Sequence, residues 1–78
     1  MKTKYTDRYR VLGLKIAYYR KLKGYTQEAF ADEVGISVNF LAQVEAPSLL
    51  KGISLETLFT TSDVLEIEPS RLLEYDYK

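Results

Sequence analysis

The stretch TQEAFADEVGISVNFLAQVE, residues 26–45, constrains this chain more tightly than any other part of it. Phe30, Ala31 and Val34 form one short apolar pattern of helical spacing, and Leu41 and Val44 form a second. Gly35 can end the first helix and Ser37 can cap the second, so only Gly35, Ile36 and the caps are left for the turn. Thr26 and Ser37 can each accept a hydrogen bond from the free backbone N–H groups that open a helix. Gly35 tolerates the positive φ that ends one. The segment therefore predicts two short helices joined by a turn of three to four residues. Two helices crossing steeply over so short a turn need a small residue where their backbones approach, and Ala31 supplies it. They also need apolar side chains to hold the second helix down, here Ile36, Leu41 and Val44.

Helical spacing governs the rest of the chain as well, and strand-type alternation is weak. Leu12, Ile16 and Tyr19 predict a first helix from about Asp7 to Leu22, stopped by Gly24 in a left-handed conformation. Pro47 blocks continuation of the third helix, because proline lacks an N–H and disfavours the α-region at Ala46. APSLLKGI, residues 46–53, reads as a loop. Ser54 caps a fourth helix carrying Leu55, Leu58, Phe59 and Leu65, which runs to Val64 or Leu65. Pro69 suits the first position of a fifth helix holding Leu72 and Leu73. The expectation is one all-α domain of five short helices over residues 1–78. Residues 7–74 would be its helical core, 1–6 a flexible basic arm and 75–78 a tail. A chain of 78 residues has room for one core. It buries only ~60–65% of its unfolded surface and stands to gain from oligomerisation.

Composition excludes several kinds of chemistry. With no cysteine and no histidine there is no disulfide framework, and no thiolate or imidazole metal site. The Cys-His and Ser-His nucleophilic arrangements are missing too. The carboxylates are scattered at helical spacing, as on a solvated face. The expectation is therefore a protein that is not an enzyme and has no cofactor, no metal and no evident small-molecule ligand. No apolar run reaches the length of a membrane span, and no signal-peptide core follows the N-terminus, so the chain reads as soluble and cytoplasmic.

A net charge of zero hides an asymmetry. Residues 1–25 carry eight basic groups against Asp7 alone, whereas residues 26–78 carry three against ten acidic ones. Either the first third forms an electropositive surface, or a basic helix balances acidic ones inside the fold.

The demands met by Ala31, Gly35, Ile36, Leu41 and Val44 are those of a helix-turn-helix. Together with Gly13-Leu-Lys-Ile upstream and SLETLFTTSDVLEIEPSRLL downstream, KGYTQEAFADEVGIS resembles the Cro/CI-type (XRE) helix-turn-helix family over nearly the whole chain. The resemblance implies a lambda-repressor-like fold and a sequence-specific DNA-binding transcriptional regulator. It would lay the third helix, about residues 37–45, in the major groove of double-stranded DNA and act as a homodimer on two half-sites about one helical turn apart.

Site residues follow from the same resemblance. Ser37, Val38, Asn39 and Gln43 would face the bases. Asn39 and Gln43, four residues apart, share a helix face, and each amide can pair with adenine N6 and N7. Val38 could meet only a thymine methyl. Phosphate contacts would come from Thr26 and Gln27 at the start of the second helix, where the helix dipole favours an anion. Phe40, Lys51, Arg8 and Arg10 are further phosphate candidates, the last two with Lys2 and Lys4 in the basic N-terminus. Arg20 would pair with Glu45, holding the third helix and offering a spare N–H to a phosphate.

The chain departs from the family where Ala46-Pro47 replaces the usual glycine, and where Leu49 and Leu50 enter the next loop. These leucines are expected to fill the core beneath the loop. The alternative is an apolar surface for a partner, in which case the chain would be an antitoxin-like or accessory protein-interaction module. That module would have weak or no DNA binding and would use Leu49, Leu50, Tyr75 and Tyr77.

Overall fold

Helix boundaries in this chain follow from its caps. The computed structural model describes residues 3–75. Lys2 of the proposed arm and Tyr77 of the proposed tail lie outside the described residues. Five helices follow in order: α1 (Thr6–Leu22), α2 (Gln27–Val34), α3 (Val38–Glu45), α4 (Leu55–Leu65) and α5 (Pro69–Leu73).

Thr26, Ser37 and Ser54 are the N-caps of α2, α3 and α4, their hydroxyls accepting from the N–H groups of Ala29, Phe40 and Thr57. Pro69 opens α5. Gly24 (φ 84°) closes α1 as the left-handed residue of a Schellman turn: its N–H donates to the Lys21 carbonyl, and the Tyr25 N–H to that of Arg20. Gly35 (φ 87°) closes α2, and the Ala31 carbonyl accepts from both Gly35 and Ile36. Ala46, before Pro47, is extended at ψ 119° and ends α3. The segment before α1 forms a turn in its described part. There the Tyr5 N–H donates to Thr3 Oγ1 and the Thr6 hydroxyl to the Thr3 carbonyl, so Thr6 belongs to the helix rather than to an arm.

The core gathers Ile16 of α1, Phe30, Ala31 and Val34 of α2, Leu41 and Val44 of α3, Leu58 and Leu65 of α4, and Leu72 of α5. In α4 the buried set is Leu58, Thr61, Ser62 and Leu65, a single stripe at i, i+3, i+4 and i+7. Leu55 and Phe59 fall outside that stripe and point to solvent, as does Leu73 of α5. The loop leucines also depart from expectation. Leu49 is 52% exposed and Leu50 is half-buried outside the core. A turn over Pro47, in which the Leu49 N–H donates to the Ala46 carbonyl, carries them away from the interior, and Ile53 packs there instead.

One glycine does unexpected work. Gly13, buried in the middle of α1, faces the Val44 carbonyl of α3. A Cβ there would lie far inside van der Waals contact with that oxygen. Only a residue without a side chain lets α1 lie directly on the last turn of α3. Glycine inside a helix costs about 1 kcal/mol relative to alanine, and this close contact accounts for its place there.

Candidate nucleic-acid interface

The short connection through Gly35 and Ile36 sets α3 across α2, and Leu41 and Val44 anchor it on the core. Its outward face is polar apart from one valine: Ser37, Val38 and Asn39 are exposed and Gln43 is half-buried. The Asn39 and Gln43 amides make no hydrogen bond to any described residue, so their donors and acceptors are available. Ser37 spends an acceptor position on the Phe40 N–H and keeps its hydroxyl proton. Phe40 itself has nothing to offer a phosphate, because its backbone N–H is taken by Ser37 and its ring packs against the core. Lys51, exposed in the next loop, holds its ammonium 5.9 Å from the Phe40 ring centroid and lines a concavity with Gln43 and Leu49. It borders the α3 face beside Gln43.

Behind α3 lies a buried polar cluster. Arg20 and Glu45 form a two-pronged ion pair, Nε donating to Oε2 at 2.7 Å and Nη2 to Oε1 at 2.9 Å. Their side chains are only 7% and 6% exposed. Arg20 Nη1 donates to the Tyr25 carbonyl at 2.8 Å. The guanidinium is thus enclosed, with three of its five N–H groups given to the scaffold. Gln27, the first residue of α2, donates from Nε2 to Glu45 Oε1 at 2.9 Å. Sequence reasoning placed Gln27 on phosphate and did not anticipate this bond. The two residues lie 18 apart, and only the crossing of the helices brings them together.

The remaining candidates sit elsewhere. Arg10 pairs with Asp7 and donates to the Pro47 carbonyl, tying α1 to the loop after α3. Arg8 lies over the Tyr75 ring, 4.5 Å from its centroid, beside a groove of about 470 Å³ between α1 and α5. That groove belongs to neither α2 nor α3. Part of the charge asymmetry is internal balance: Lys15, Arg20 and Lys23 meet Glu74, Glu45 and Glu66 of the acidic remainder, while Arg10 pairs with Asp7 inside the basic segment itself.

A family profile described as helix-turn-helix matches residues 16–72. The chain belongs to the XRE-type helix-turn-helix family. An uncharacterised HTH-type transcriptional regulator of Bacillus subtilis (strain 168), YazB, is 40% identical over 62 residues, covering 80% of this chain and 87% of that protein. Among solved structures, the biofilm master regulator SinR in complex with DNA superposes with a TM-score of 0.74 at 32% identity, over 81% of this chain and 98% of that one. The N-terminal DNA-binding domain of SinR from Bacillus subtilis gives 0.77 at 28%, over 88% and 99%. The restriction-modification controller protein C.AhdI from Aeromonas hydrophila gives 0.75 at 28%, over 87% and 98%.

Proposed function

We propose that this chain is a sequence-specific DNA-binding transcriptional regulator. It lays α3 in the major groove and reads bases with Asn39 and Gln43, supported by Ser37 and Val38. Phosphates are held by the start of α2, through Thr26 and Gln27, and by Lys51. The observation that carries this reading is the face of α3: it presents the Asn39 and Gln43 amides without internal hydrogen bonds and is seated on a core that fixes its direction. The superposition on a SinR–DNA complex supports it. With no basic residue on α3, one copy makes few strong phosphate or guanine contacts. A homodimer on two half-sites about one helical turn apart would supply the missing affinity.

Selection from random duplexes at moderate salt tests the reading. The expected outcome is an enriched sequence with paired half-sites, bound with an affinity that falls steeply as salt rises. Absence of any enriched sequence would sink it. A protein-interaction module is the second reading, favoured by one feature, the exposed Leu49 beside Gln43. It is supported if binding to a protein partner survives high salt while no duplex is retained.

A further inference from the structure

Glu45 is the only charged residue of α3, and the structure surrounds it with donors. Oε2 accepts from Arg20 Nε, and Oε1 accepts from both Arg20 Nη2 and Gln27 Nε2. Through Arg20 the same carboxylate reaches the Tyr25 carbonyl, immediately before the N-cap of α2. One buried group on the last residue of α3 therefore fixes the first residue of α2 and the peptide that precedes the helix.

The consequence for Gln27 is geometric. A glutamine amide is planar, with two N–H groups that diverge and a carbonyl on the opposite side. Once one N–H is given to Glu45 Oε1, the second N–H and the carbonyl are confined to directions compatible with that bond. Part of the rotamer freedom that an unrestrained glutamine would lose on meeting a phosphate is already given up in the free protein. Gln27 also stands at the open end of α2. The Ala29 N–H there is taken by Thr26 Oγ1, while the first N–H groups of a helix have no partner within it.

We infer that Glu45 is a positioning residue for DNA binding. It holds the Gln27 amide aimed at the phosphate, so that the α2 clamp and the α3 reading face dock as one rigid piece. The inference rests on the DNA-binding reading and adds a role for a carboxylate that never touches DNA.

A double-mutant cycle on the selected duplex tests it, using Gln27→Ala and Glu45→Gln singly and together. Gln27→Ala is expected to weaken binding about tenfold in the parent chain and about threefold or less in the Glu45→Gln background. A purely structural role for Glu45 would lower affinity overall but leave the cost of Gln27→Ala unchanged. That additive result overturns the inference. Circular dichroism establishes whether Glu45→Gln folds. If it does not, amide-proton NMR of the DNA-free parent decides: the two Gln27 Nε2 protons should exchange with water at clearly different rates, with a rigid side-chain order parameter. A mobile amide with equal exchange rates overturns the inference whatever the cycle gives. Failure of the parent chain to bind any duplex, with the amide rigid, would instead overturn the DNA reading on which the inference stands.

Discussion

Arg20 and Lys23 leave α1 within one turn of each other, and each meets a glutamate from far along the chain, yet they act in opposite regimes. Arg20 and Glu45 are enclosed, and every prong of the pair is hydrogen-bonded, with the Tyr25 carbonyl and Gln27 completing the set. Lys23 and Glu66 join the C-terminal caps of α1 and α4 at the surface, with side chains 35% and 75% exposed. Water screens the outer pair, so its worth is small. The inner pair has given up its hydration, so breaking it strands a charge. The number of ion pairs thus says little about this fold, and the depth of each one says much.

Removing one partner of the inner pair is the strongest way to break the comparison. Arg20→Ala should cost about 3–5 kcal/mol of stability, because it leaves Glu45 buried with only Gln27 as donor. Urea unfolding measures this, and a loss under about 1 kcal/mol would put both pairs in one regime. Next in size is Gly13→Ala, expected to cost about 1–3 kcal/mol by forcing α1 away from the Val44 carbonyl and from the helix that carries Glu45. A lowered urea midpoint at unchanged slope would identify it as a packing effect.

Smallest is Lys23→Ala. Its effect on the thermal midpoint should be slight and should vanish in about 1 M salt, whereas that of Arg20→Ala should persist. Acid sharpens the contrast. The Lys23 hydrogen bond, and then its charge, hold the Glu66 carboxyl below its ordinary value. A depressed carboxylate contributes stability above its unfolded pKa and loses it as pH falls through the folded value. Parent and Lys23→Ala should therefore differ near neutrality and converge in acid. The Glu66 titration followed by NMR should move up to the ordinary carboxylate range in the variant.

What could be read from the sequence follows the same division between local and distant effects. Caps act within a few residues, so Thr26, Ser37, Ser54, Gly24 and Pro69 announced four helix starts and the close of α1. Arg20 and Glu45 were paired through the family resemblance. The third member of that cluster, Gln27, was not, because its bond to Glu45 depends on where a helix end lands in three dimensions. Charge counting pointed as readily to an electropositive surface as to internal balance, since composition cannot say whether a lysine meets solvent or a glutamate. Leu49 was misjudged for a similar reason: hydrophobicity alone does not reveal which way a proline turn sends the chain. At Glu66, no glycine marks the left-handed close of α4 (φ 59°), although the bonds there repeat those at Gly24.

The bare backbone at Gly13 makes α3 a replaceable part. Its seat is built from Gly13, Leu41, Val44 and the Arg20–Glu45 pair, none of which belongs to the outward set of Val38, Asn39 and Gln43. Substitutions in that set leave the seat's contacts in place, so a library randomised at those three positions would share one scaffold, and on the proposed reading its members would differ in the duplexes they select.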